Sequence, residues 1–146
     1  MAVSFANQLT PTNLPANTRI LEDATLKATG TLPASNTTSN TGVIDLFNAT
    51  PYPTTETINV KIDYTATTGN ASNSNGTLVL MHSADNSTFA NIPTLGSSPI
   101  VMANTVAAAS YTYKLPPGCY RYIKCSANQP NVTNLSASVL TMRLLF

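Results

Sequence analysis

The chain has 146 residues and a mass of 15.4 kDa, the length of one domain. Area scaling lets roughly two thirds of its exposable surface be buried without a disulfide or metal staple. Only 9% of residues are charged against a usual value of about 25%, and seven Lys and Arg oppose six Asp and Glu for a formal net charge of +1. The basic residues Arg19, Lys27, Lys61, Lys114, Arg121, Lys124 and Arg143 are spread along the chain and come close only at Arg121 and Lys124, so no polycationic nucleic-acid footprint is visible. A single His and few carboxylates argue against an enzyme.

The first residues, AVSFANQLTPTNLP after Met1, lack a basic segment and an apolar stretch, so no secretory signal is expected. No apolar run approaches the ~20 residues of a membrane span. Residues 1–40 carry Pro11, Pro15, Pro33 and the polar tract PASNTTSNTG running into Gly42, which reads as an extended N-terminal arm and linker ahead of a β domain over 41–146. Within that arm, TRILEDATLKA over Thr18 to Ala28 fits a short helix capped by Thr18, or an extended segment pinned against a sheet.

From Thr41 the pattern is β. VIDLF over Val43 to Phe47 predicts a short strand, and Thr57 to Tyr64 alternates Ile58, Val60, Ile62 and Tyr64 against Asn59, Lys61 and Asp63, a strand with one buried face. A polar loop ends at Gly76, Thr77 to His82 follows as a strand, and Asp85 with Asn86 supplies turn chemistry. Phe89 to Leu95 and Pro99 to Met102 read as short extended pieces. Ser110 to Leu115 puts Tyr111, Tyr113 and Leu115 on one face, Pro116 to Gly118 breaks the chain, Cys119 to Ser126 resumes it, and Leu135 to Phe146 reads as one long closing strand. About eight strands with frequent turn signals and no sustained helical period predict an all-β, antiparallel β-sandwich, jelly-roll-like rather than immunoglobulin-like because Trp is absent.

Chemistry-bearing constellations are sparse. Cys119 and Cys125, six residues apart on one unbroken strand, would sit roughly 20 Å from each other, too far for a disulfide, and free thiols fit a reducing compartment. His82 stands alone at a strand end, without the partners of a nucleophilic or zinc site. Asp85, Asn86 and Ser87 could offer oxygens to calcium, but the EF-hand spacing is missing and an Asx turn is the favoured account of the same residues, so no cofactor is expected. Tyr111, Tyr113, Tyr120 and Tyr122 lie on two successive strands and would cluster if those strands pair, as core, subunit interface or sugar platform.

Three segments, LVLMHSADNSTFANIPTL from Leu78, KLPPGCYRYIKCSA from Lys114 and VIDLF around Asp45, resemble the small capsid cement, or decoration, proteins of short-tailed phages of the Bordetella-phage and cyanophage type. The likeness runs from about Val43 to Phe146. It implies a jelly-roll-like structural virion protein without catalysis, a homo-oligomer with a dimer favoured over a trimer, bound outside the head to the phage major capsid protein. Neither nucleic acid nor membrane is implied as a partner. Contact residues expected on this reading are Phe5, Leu9 and Leu14 of the arm, the four tyrosines Tyr111, Tyr113, Tyr120 and Tyr122, and Phe146. With so few charges, attachment is expected to rest mainly on apolar and neutral contacts. A carbohydrate-binding β-sandwich and a phage tail or fibre domain are the alternatives.

Overall fold

The structure, a computed structural model, describes residues 22–46, 58–65, 75–92, 100–103, 108–116, 118–132 and 134–145. These residues form ten strands and no helix: β1 (Glu22–Thr31), β2 (Thr37–Asn40), β3 (Ile44–Asp45), β4 (Asn59–Tyr64), β5 (Asn75–Ser83), β6 (Ala90–Asn91), β7 (Ile100–Ala103), β8 (Ala109–Lys114), β9 (Tyr122–Gln129) and β10 (Val139–Leu145). All pairings are antiparallel. The first sheet has the order β1-β10-β4-β8 and the second the order β2-β9-β5-β6, with β3 also on β9 and β7 also on β5.

The pairings nest. β1 meets β10, β2 and β3 meet β9, β4 meets β8, and β5 meets β6 and β7. Each position counted from one end of the chain therefore faces its counterpart counted from the other, as in one long antiparallel ribbon doubled back after β5. The remaining contacts, β10 with β4 and β9 with β5, roll that ribbon into two sheets.

Period-two patterning explains which face of each sheet is buried. Val60, Ile62 and Tyr64 of β4 and Leu140, Met142 and Leu144 of β10 point inward from the first sheet, and Leu78, Leu80, Ile123, Cys125 and Ala127 from the second; together they form one hydrophobic core. Each large side chain so buried contributes about 1.5–3 kcal/mol. The strip formed by β2 and β3 stays attached to β9 through Thr41, which sits between them. Its amide donates to the Cys125 carbonyl at 2.9 Å and its hydroxyl accepts from the Cys125 amide at 3.0 Å, so a side chain replaces a backbone rung.

Four sequence expectations differ from what is observed. Residues 22–31 and 37–40 of the expected arm and linker are sheet strands, so the extended alternative holds over 22–28; residues 1–21 lie outside the described residues. Cys119 is not on the strand of Cys125, because the Cys119 amide bonds back to the Pro116 carbonyl at 3.3 Å and β9 starts only at Tyr122. The closing strand begins at Val139 rather than Leu135, since the Ser138 amide turns back to the Leu135 carbonyl at 3.0 Å. Finally, β8 and β9 do not pair but lie in different sheets, because the seven residues between them cross from one sheet to the other instead of forming a hairpin.

Candidate functional site

That crossing separates the tyrosines. Tyr111 and Tyr113 point inward from β8 and pack half-buried against the core, Tyr111 with its ring centre 6.3 Å from that of Tyr64. Tyr122 is half-buried on the second sheet with the Arg121 guanidinium 4.9 Å above its ring, and Tyr120 is 41% exposed against His82, ring centres 4.6 Å apart. Phe5, Leu9, Leu14 and Phe146 lie outside the described residues.

His82, Ser83 and Asp85 are the residue types of a nucleophilic triad, gathered within four positions. Their hydrogen bonds run differently. The Ser83 hydroxyl donates to Asp85 Oδ1 at 2.8 Å, not to His82, and the Asp85 carboxylate also accepts from the Ser87 and Thr88 amides at 2.9 Å each. His82 Nδ1 accepts from the Tyr120 amide at 3.2 Å, and burial pushes its pKa down, which favours the neutral ring. Consecutive strand residues point to opposite faces, which keeps the imidazole from the Ser83 oxygen. The loop is an Asx turn with Asn86 at φ 59°, a conformation that Asn tolerates better than most residues. No group of three or more His, Cys, Asp or Glu able to hold a metal occurs among the described residues.

The two outward sheet faces differ in charge. On the first sheet the register aligns Lys27, Arg143, Lys61 and Thr112 in one row across all four strands, and Thr29, Thr141, Asp63 and Ser110 in the next. Lys114 stands in the row on the other side of Lys61, beside Asn59, at the end where Glu22 of β1 is in register with Leu145. Four of the seven basic residues of the chain thus share one face, with Asp63 as the one carboxylate among the described side chains of these rows. Arg143 donates to Asp63 through Nη2, and Lys61 Nζ lies 3.6 Å from Asp63 Oδ1. Burial raises the Asp63 pKa, but a hydrogen bond from Ser110 and the charges of Arg143 and Lys61 outweigh it, and the carboxyl sits below its ordinary value.

The outward face of the second sheet carries a smaller excess of cations, because Arg121 beside Tyr122 is paired with Asp45. Its rows set Asn40 beside Ser126 and Val79, and Thr38 beside Asn128 and Thr77. The one cation among these strand residues, Lys124, rests 4.2 Å above the Phe89 ring. Sequence reading missed the basic face because its members are far apart in the chain; only the pairing register brings them together. The signal available was the odd-numbered alternation Asn59, Lys61, Asp63 of β4, which already placed a cation outward. Comparison of the chain with protein-family models and with curated proteins found no match.

Proposed function

We propose that this chain is a structural, adhesive virion protein, a capsid cement or decoration protein that binds the outside of a phage head and bridges neighbouring major capsid proteins. The observation that carries the reading is the doubled ribbon. Eight strand positions, paired first with last and rolled into two sheets, are the pairing expected of a jelly-roll sandwich, an architecture frequent in viral capsid and lectin domains. Chemistry points the same way: the Ser83 and Asp85 side chains are spent on a turn, His82 accepts from the Tyr120 amide, and both cysteines are buried, free thiols.

In this role the molecule works through surface contact, without catalysis or cofactor. Packed DNA pushes a filled head outward, and a protein spanning joints between coat subunits adds contact area where the shell is weakest. A homo-oligomer, a dimer before a trimer, multiplies weak contacts through effective concentration and matches the symmetry of a capsid joint. The alternative reading as a sugar-binding module loses its aromatic platform, since the tyrosines are divided between two sheets. The test is purification of DNA-filled heads. Many copies per head, reachable by surface labelling, and heads that rupture at lower temperature without the protein are expected; heads that never carry it overturn the proposal, and recovery on tails or on a glycan array selects an alternative.

A further inference from the structure

We propose that the outward face of the β1-β10-β4-β8 sheet is the docking face, and that its partner is a protein surface bearing carboxylates. This rests on the adhesive reading above and adds the face and the chemistry. Lys27 and Lys61 flank Arg143 in one row, so their Cα atoms stand about 10 Å apart, and Lys114 lies diagonally about 7–8 Å from Lys61. Lys27 and Lys114 are exposed and Lys61 is half-buried; Arg143, between Lys27 and Lys61, is bonded to Asp63 in the next row. The exposed hydroxyl of Thr112 extends the row of cations, and those of Thr29 and Ser110 border it in the Asp63 row, with neutral hydrogen-bonding groups.

Charge complementarity selects an acidic partner, and two features favour protein over nucleic acid. The described side chains of these rows include no aromatic ring on which a base could stack. The whole chain has a pI near 7.8, below the range of domains that hold a phosphate backbone by charge. The sheet face measures about 19 Å across four strands and about 20 Å along them, or about 400 Å². That is half of the ~800 Å² per partner of a stable pairwise interface. One copy therefore binds weakly, and an array of carboxylate-bearing subunits is the partner on which such a face becomes effective. The overall shortage of charge suggested attachment by neutral contacts; the concentration of that charge on one face makes attachment sensitive to salt instead.

The test uses the purified full chain and a poly-glutamate peptide, with duplex DNA and a second copy of the chain as competing occupants. NMR shift mapping is expected to place poly-glutamate on β1, β10, β4 and β8, with affinity falling as ionic strength rises from about 0.05 M to about 0.5 M. Combined Lys27→Gln, Lys61→Gln and Lys114→Gln substitution is expected to weaken binding about tenfold, since each exposed charge contributes modestly, while Lys124→Gln on the other sheet leaves it unchanged. Equal loss with Lys124→Gln, absence of poly-glutamate binding, tighter binding of duplex DNA, or a dimer that the triple substitution dissociates would each overturn the proposal. Because the peptide needs no phage, failure here is separable from failure to find the protein on heads; the triple variant on heads then reads the face in place.

Discussion

Arg121 closes its Nε and Nη2 onto the two carboxylate oxygens of Asp45, each at 2.7 Å, across 76 positions of chain. The pair ties the two-residue strand β3 to the start of β9, beside the bond from the Leu46 amide to the Arg121 carbonyl at 2.8 Å. Because the grip is two-pronged, a lysine cannot replace it. Arg121→Lys and Asp45→Asn are each expected to speed amide hydrogen exchange at Ile44 and Leu46 with a small drop in Tm. Exchange left unchanged in both variants would show that β3 is held by its backbone alone.

Acid should loosen the fold through two carboxylates. Asp63 sits below its ordinary pKa for the reasons given, and Asp85 lies well below because the amides of Thr88 and Ser87 and the hydroxyls of Ser87 and Ser83 donate to it. A carboxyl whose folded pKa is depressed adds stability above its unfolded value of about 3.9 and loses it as pH falls through the folded value. Urea midpoints are therefore expected to fall gently below about pH 6.5, because burial holds the folded pKa of His82 under its unfolded value, and more steeply below about 4 as the carboxylates take up protons, with a shallower acid decline in Asp63→Asn. An identical acid profile in that variant would remove Asp63 from the account.

Burial pushes the thiols of Cys119 and Cys125 up to about 12 each. The nucleophilic thiolate is then scarce, and access is closed as well. Native protein at pH 8 is expected to give almost no reaction with a disulfide reagent, and two thiols per chain after denaturation. A raised thiol pKa contributes stability that is complete below the unfolded value of about 8.5 and is lost as pH climbs toward the folded value, so alkaline conditions should release both groups.

Two glycines make a matched pair. A Cβ on Gly30 would lie 2.5 Å from the Asn40 carbonyl oxygen and 3.0 Å from the Thr41 Cα, both backbone, where the chain passes between sheets. Gly118 has open space around it but holds φ at +83°. Gly30→Ala is expected to cost about 1–3 kcal/mol by overpacking and Gly118→Ala about 1 kcal/mol by backbone strain. Urea unfolding measures both, and a D-alanine at 118, introduced by chemical ligation, should restore the second but not help the first.

Legibility in the sequence tracked how local each feature is. β4 and β8 could be read because inward Val60, Ile62, Tyr111 and Tyr113 alternate with polar neighbours over a single strand. Cys119 to Arg121 and Leu135 to Ser138 have strand-like composition, yet backbone hydrogen bonds to Pro116 and Leu135 turn them, and composition does not report such bonds. The tyrosine cluster failed for a further reason: adjacency in the chain suggested a hairpin where the connection changes sheets. The basic face was least legible of all, since Lys27 and Arg143 are neighbours only through the pairing of β1 with β10.

That same pairing bears on how the molecule is born. β10 lies between β1 and β4, yet it leaves the ribosome after both, so the first sheet has an open slot until translation has passed residue 145. Nascent β1 and β4 must wait with their hydrogen-bonding edges bare, and long-range closure of this kind is slow. Truncation within β10 should thus abolish the sheet as a whole and send the polypeptide to aggregates or proteases, whereas losses ahead of β1 leave every rung among the described residues in place.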